Sequence, residues 1–141
     1  MSTLQLFIAA DTVGKYVITD STGRPIECQQ HCWNGKPLRL KTAYIATGAR
    51  AVEIAQDLSL FVNGPVHLEL VISHSSLIET PGAGNRNLWP LRSDASRLGH
   101  AVTISTRHVP RRKNPADWRL KDFRAVHIPS FQLAQRLSEA L

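Results

Sequence analysis

Val66-His67-Leu68-Glu69-Leu70-Val71-Ile72-Ser73 (VHLELVIS) decides how this chain folds. Apolar residues occupy five of these eight positions, and they fall on both parities, which suits a strand covered on both faces in the middle of a sheet. Such strands are reached by crossover helices. The preceding residues supply one: Val52, Ala55, Leu58 and Val62 recur at three- and four-residue steps between about Thr47 and Phe61, and Asn63-Gly64-Pro65 stops the run. A strand entered from a crossover helix should lie parallel to an earlier strand.

Upstream, LQLFIAA (residues 3–9) is a short apolar run ending at Asp11, and Gly14 marks a turn into KYVITD. A second turn signal, Asp20-Ser21-Thr22-Gly23, leads to a third strand from Pro25 to about Trp33. The chain therefore opens as a three-stranded antiparallel meander. Downstream, Pro81-Gly82-Ala83-Gly84-Asn85 is a breaker, and LWPLRSDASRLGH carries a short helix ending near Gly99. AVTISTRHV (residues 101–109) alternates as another strand. PRRKN is a loop, a short helix follows over about Pro115–Leu120, and Ser130 caps a last amphipathic helix with Phe131, Ala134 and Leu137 on one face. The expected class is α/β, with a five-stranded mixed sheet (three antiparallel strands, then two parallel) flanked by helices, in one domain over 1–141.

Composition narrows the partners. Seventeen Lys and Arg against eleven Asp and Glu give a net charge of +6, and the pI near 9.9 favours a polyanion such as nucleic acid. No run is long and apolar enough to span a bilayer, and MSTLQLFIAAD lacks the basic flank and long apolar core of a secretory signal, so a cytoplasmic protein without membrane contact is expected. Cys28 and Cys32 are then free thiols. With His31 they could be read as part of a zinc site, but no second ligand pair follows, and half-buried strand residues are the better reading. Trp33, Trp89 and Trp118 are expected in the core.

The element order, with Asp11 at the end of the first strand and Glu53 in the first long helix, meets one further segment: HVPRRKNPAD, residues 108–117. Together these resemble the ribonuclease H family, in particular its reverse-transcriptase-like branch, over about residues 3–120; residues 121–141 do not align. The resemblance implies a ribonuclease H-like fold. It also implies a metal-dependent endonuclease that hydrolyses the RNA strand of RNA–DNA hybrids, with Mg²⁺ or Mn²⁺ held by Asp11, Glu53, Asp117 and the residue at the end of the VHLELVIS strand. Hard cations that activate water against a phosphodiester require oxygen donors.

That fourth position departs from the family. His74-Ser75 stands where the resemblance calls for Asp-Ser, and imidazole suits transition metals better than Mg²⁺. Asp11-Thr12 in place of Asp-Gly is milder, since the glycine supplies no ligand. Arg111, Arg112, Lys113 and Asn114 would lie where a phosphate backbone passes, with His108 beside them. Each acid also has a plain reading: Asp11 closes a turn, Glu53 is a solvated helix residue, and Asp117 is a helix-start Asp favoured by the dipole. The alternatives are therefore a nuclease, a catalytically inactive ribonuclease H-like module that binds nucleic acid, and an interaction domain docking through Ser130–Leu141.

Overall fold

The computed structural model describes residues 2–31, 36–78, 84–95 and 102–141. Five strands form one sheet: β1 (Ser2–Ala10), β2 (Lys15–Thr19), β3 (Pro25–Gln30), β4 (Val66–Ile72) and β5 (Val102–His108), in the order β3-β2-β1-β4-β5. β1–β2 and β2–β3 are antiparallel, while β1–β4 and β4–β5 are parallel. The α/β class and the mixed sheet, with the VHLELVIS strand parallel to the first, are as the sequence predicts.

Local chemistry makes the meander. Asp11 Oδ1 accepts from the Val13 and Lys15 amides at 3.0 and 2.9 Å, closing the β1–β2 turn. Asp20 Oδ1 accepts from the Thr22 and Arg24 amides at 2.9 and 3.0 Å and from the Thr22 hydroxyl, and Gly23 takes φ +86°, which L side chains rarely adopt. β3 ends at Gln30, short of the expected Trp33; Cys32 and Trp33 lie outside the described residues.

Helix α1 (Leu40–Val62) begins two turns before the expected Thr47, and no side chain caps its start at Arg39. Its sheet-facing stripe runs back through Ala51, Thr47, Gly48, Ala43 and Tyr44, all buried. Asn63 closes it in the left-handed conformation. Helix α2 (Trp89–Ala95) is followed by residues 96–101, outside the description, so its expected end near Gly99 falls there, as does most of the Pro81–Asn85 breaker. Helices α3 (Pro115–Lys121) and α4 (Ser130–Glu139) complete the chain.

The sheet separates two cores. On one face Leu4, Leu6 and Ile8 of β1 and Leu68, Leu70 and Ile72 of β4 pack with α1, α2 and Leu133 and Leu137 of α4. On the other, Phe7, Ala9, Val17, Cys28 and Val71 pack with Ala116 of α3 and with Phe123 and Val126. The alternation along β1 and β4 assigns each parity to one layer. α4 thus buries its apolar stripe on its own sheet layer. Phe131 does not share that face: it is exposed, edge-on to Phe61 at 5.6 Å. Ser130 is the first helical residue, and the N-cap is Pro129 without a side-chain cap. Val126 forms a two-way backbone pair with Cys28 on the outer edge of β3. Trp89 and Trp118 are exposed, at 62% and 55%, in place of the expected core positions. Among the described residues, no helix is long and apolar enough to cross a membrane.

Candidate functional site

Because β1 and β4 are parallel with Phe7 opposite Val71, Asp11 and the pair Ser73-His74 leave the sheet at the same end. Asn114 brings α3 to that end. It is fully buried; its Nδ2 donates to the Ile8 carbonyl at 3.2 Å and lies 3.5 Å from the Ser73 hydroxyl, and its Oδ1 accepts from the Ala116 amide at 3.0 Å. With Pro115 as the next residue, this is the helix start that Asn-Pro encodes. Asp117 then sits in the first turn and accepts a short hydrogen bond from the Ser73 hydroxyl. Burial pushes the Asp117 carboxyl above its usual range, partly offset by the Ser73 bond and by the charges of Arg111 and Lys121.

Tyr44 of α1 closes the cluster. It is buried, lies beside the backbone of Ala10 and the side chain of Ser73, and stacks its ring on His74 at 4.9 Å and 15°. Burial, followed by the nearby Asp117 charge, raises its phenol pKa, so the hydroxyl stays protonated and serves as a hydrogen-bonding group.

The four expected ligands are not brought together. Asp11 turns its carboxylate into the β1–β2 turn. His74 spends Nδ1 on the 74–76 turn, against the Ser76 amide at 3.2 Å and hydroxyl at 3.0 Å. Glu53 lies nine residues beyond Tyr44 on α1, about 13 Å along the helix axis. It is 62% exposed and pairs with Arg50 at 2.9 Å. Tyr44, a poor donor for Mg²⁺ while protonated, is the α1 residue that meets His74 and Asp117 at the strand ends. Among the described residues, no three His, Cys, Asp or Glu side chains gather as a metal-holding group.

Of the expected nucleic-acid contacts, Arg111, Arg112 and Lys113 are exposed on a 3₁₀ turn whose end is tied by the Asn114 amide to the Arg111 carbonyl at 3.1 Å. Asn114 itself is interior, and its role is to fix α3. His108, the last residue of β5, is exposed. Cys28 is buried, its thiol pushed up by that burial, and His31 stacks on Tyr16 at 4.4 Å; Cys32 lies outside the description.

A second polar cluster went unread in the sequence. Glu27, 2% exposed on β3, accepts from Tyr16 at 2.6 Å and from Arg50 at 2.7 and 3.0 Å. Tyr44 and Ser73 were also missed. The signal for Tyr44 was present, since carrying the α1 stripe one turn toward the N-terminus places it on the sheet-facing side. No family model, curated protein or solved structure matches this chain.

Proposed function

We propose that this chain is a ribonuclease H-like module that grips RNA–DNA hybrid by its phosphate backbone and does not cut it. The strand order, with two parallel strands added to an antiparallel meander, supports the ribonuclease H-like part of this reading. The observation that carries the binding part is the exposed Arg111-Arg112-Lys113 turn, held rigidly to the strand ends by buried Asn114. Three exposed cations on this turn, beside a half-buried carboxylate, make a strip that accepts a phosphate ladder. A-form shape and 2′-hydroxyls would then distinguish hybrid from DNA.

Cleavage is the competing reading, and Asp11 and Asp117 at one end of the sheet favour it. It needs Glu53 beside them, and Glu53 instead lies nine residues beyond Tyr44 on α1, paired with Arg50. An end-labelled hybrid incubated with Mg²⁺ or Mn²⁺ separates the two. We expect binding with intact substrate in both metals, and a log–log salt slope that falls by about 2 to 3 when Arg111, Arg112 and Lys113 are all changed to Gln. Cutting that Asp117→Asn abolishes would overturn the non-cleaving reading in favour of the nuclease. An unchanged salt slope in the triple variant would remove the grip assigned to this turn.

A further inference from the structure

A large exposed indole beside guanidinium groups is unused by the reading above. Helix α3 buries Pro115 and Ala116 and packs Leu120 against the second core, so its inner side is fully occupied. Its outer side presents Trp118, 55% exposed, and Arg119. Core packing explains the first set and leaves the second without a role.

The surface around them is shaped. A hollow of about 290 Å³ lies between Trp118, Arg119 and the β2–β3 turn at Thr22 and Gly23. A neighbouring hollow of about 370 Å³ runs on past Arg119 to Arg124 and Val126. Arg119 and Asp122 line both, so the two form one trough. Arg119 Nε donates to the Gly23 carbonyl at 3.0 Å, which fixes the guanidinium in the wall; its remaining donors are available to an acceptor. From residue 111 to 124 the chain carries Arg111, Arg112, Lys113, Arg119, Lys121 and Arg124 against Asp117 and Asp122. The trough's arginines thus lie on the helix and loop that follow the Arg111–Lys113 turn directly in the chain, and Pro115, the first residue of α3, lines the trough.

We propose that this trough takes a single-stranded nucleic-acid flank of the bound duplex, with an unpaired base stacked on Trp118 and its phosphates on Arg119 and Arg124. The inference rests on the nucleic-acid reading above and names the form of its substrate, a duplex with a single-stranded extension. A base inside a duplex is covered on both faces; an unpaired base offers one to an indole, whatever its sequence. Charge complementarity selects a polyanion over an apolar peptide, and Asp122 within the trough leaves the phosphate contacts to the arginines on either side of it.

The test compares fluorescence anisotropy of a blunt RNA–DNA hybrid with that of the same hybrid bearing a single-stranded DNA extension, at one salt concentration. For the unaltered protein we expect the extension to tighten binding by about tenfold, the scale of one base–aromatic stack. Trp118→Ala should lose most of that gain while binding blunt hybrid as before, and Trp118→Phe should keep it. The unchanged blunt-hybrid affinity reports that the variants remain folded. No gain from the extension, or an equal gain in Trp118→Ala, overturns the inference while blunt-hybrid binding leaves the proposed function standing. Binding of neither probe overturns both. Binding of the extended probe alone, lost in Trp118→Ala, supports the trough and removes the duplex grip.

Discussion

Replacing Arg50 with Met should be among the most damaging single changes in this chain. The Glu27 carboxylate is 2% exposed; it accepts hydrogen bonds from Tyr16 at 2.6 Å and from Arg50 at 2.7 and 3.0 Å, and the exposed His127 ring lies 4.0 Å away. Burial alone would raise its pKa, but the hydrogen bonds from Arg50 and Tyr16 and the Arg50 charge together hold it below the ordinary 4.5. Arg50→Met removes two of the three bonds and the main countercharge, leaving a buried carboxylate with only the exposed His127 near it, for which the cost is about 3–5 kcal/mol. The Arg50 side chain is 22% exposed, so some water reaches the site and the lower part of that range applies. For a chain of this size the loss corresponds to roughly 10 °C in melting temperature. Urea denaturation followed by circular dichroism at neutral pH gives the free energy directly. Glu27→Leu with Arg50→Met and Tyr16→Phe, which removes the whole polar cluster, should recover most of the loss.

The pH dependence supplies an independent check. A carboxyl whose folded pKa is depressed stabilises the fold above its unfolded pKa, and that stabilisation is lost as pH falls through the folded value. In Arg50→Met burial instead raises the Glu27 pKa above 4.5, so the gap between the two proteins should begin to narrow above pH 4.5, as the variant takes up its proton, and go on narrowing below it. A cost under about 1 kcal/mol, the worth of an exposed ion pair, would refute the reasoning. So would a gap that does not change with pH.

Asp117 has the opposite sign. Burial raises its pKa above 3.8, so its stabilising effect is fully present below that value and is lost as pH rises through the folded pKa. Asp117→Asn should leave the neutral-pH melting temperature unchanged or higher, and a clear drop in a thermal scan would contradict this. Asn114→Ala removes a helix cap, worth about 1 kcal/mol, and strands the Ile8 carbonyl, adding about 1–3 kcal/mol; a denaturation midpoint equal to the parent's would show that α3 is held by other contacts. At Gly48 an added Cβ would lie 3.0 Å from Leu91 Cδ1 and 3.3 Å from Leu77 Cδ1. Gly48→Val should cost about 1–3 kcal/mol by overpacking, and unchanged stability would mean that α1 stands farther from those leucines.

How much of this was legible followed the range of the forces involved. β4 could be read because a strand buried on both faces must be apolar at both parities, and the meander because Asp11 and Asp20 make their turns with their own side chains. The start of α1 was hidden, since Arg39 supplies no capping side chain and Gly48 interrupts the stripe for close packing. Asp117 and the cations before it were found because the Asn114-Pro115 helix start is local. For Glu53 the sequence shows only that it lies beside the stripe, and which helical turn meets the strand ends depends on how α1 is docked. Tyr44 has that place. The pairing of Val126 with Cys28 joins residues 98 apart with no local periodicity to announce it.

That pairing has a consequence for how the molecule meets its own copies. An outermost strand offers amides and carbonyls to any extended chain, and aggregation begins at such borders. Here both backbone groups of Cys28, near the middle of β3, are already engaged by Val126, and Phe123 covers the adjacent apolar face. The segment 123–128 is thus a guard rail: cutting it away would expose a β-border that a second copy could extend, turning a finished sheet into a growing one.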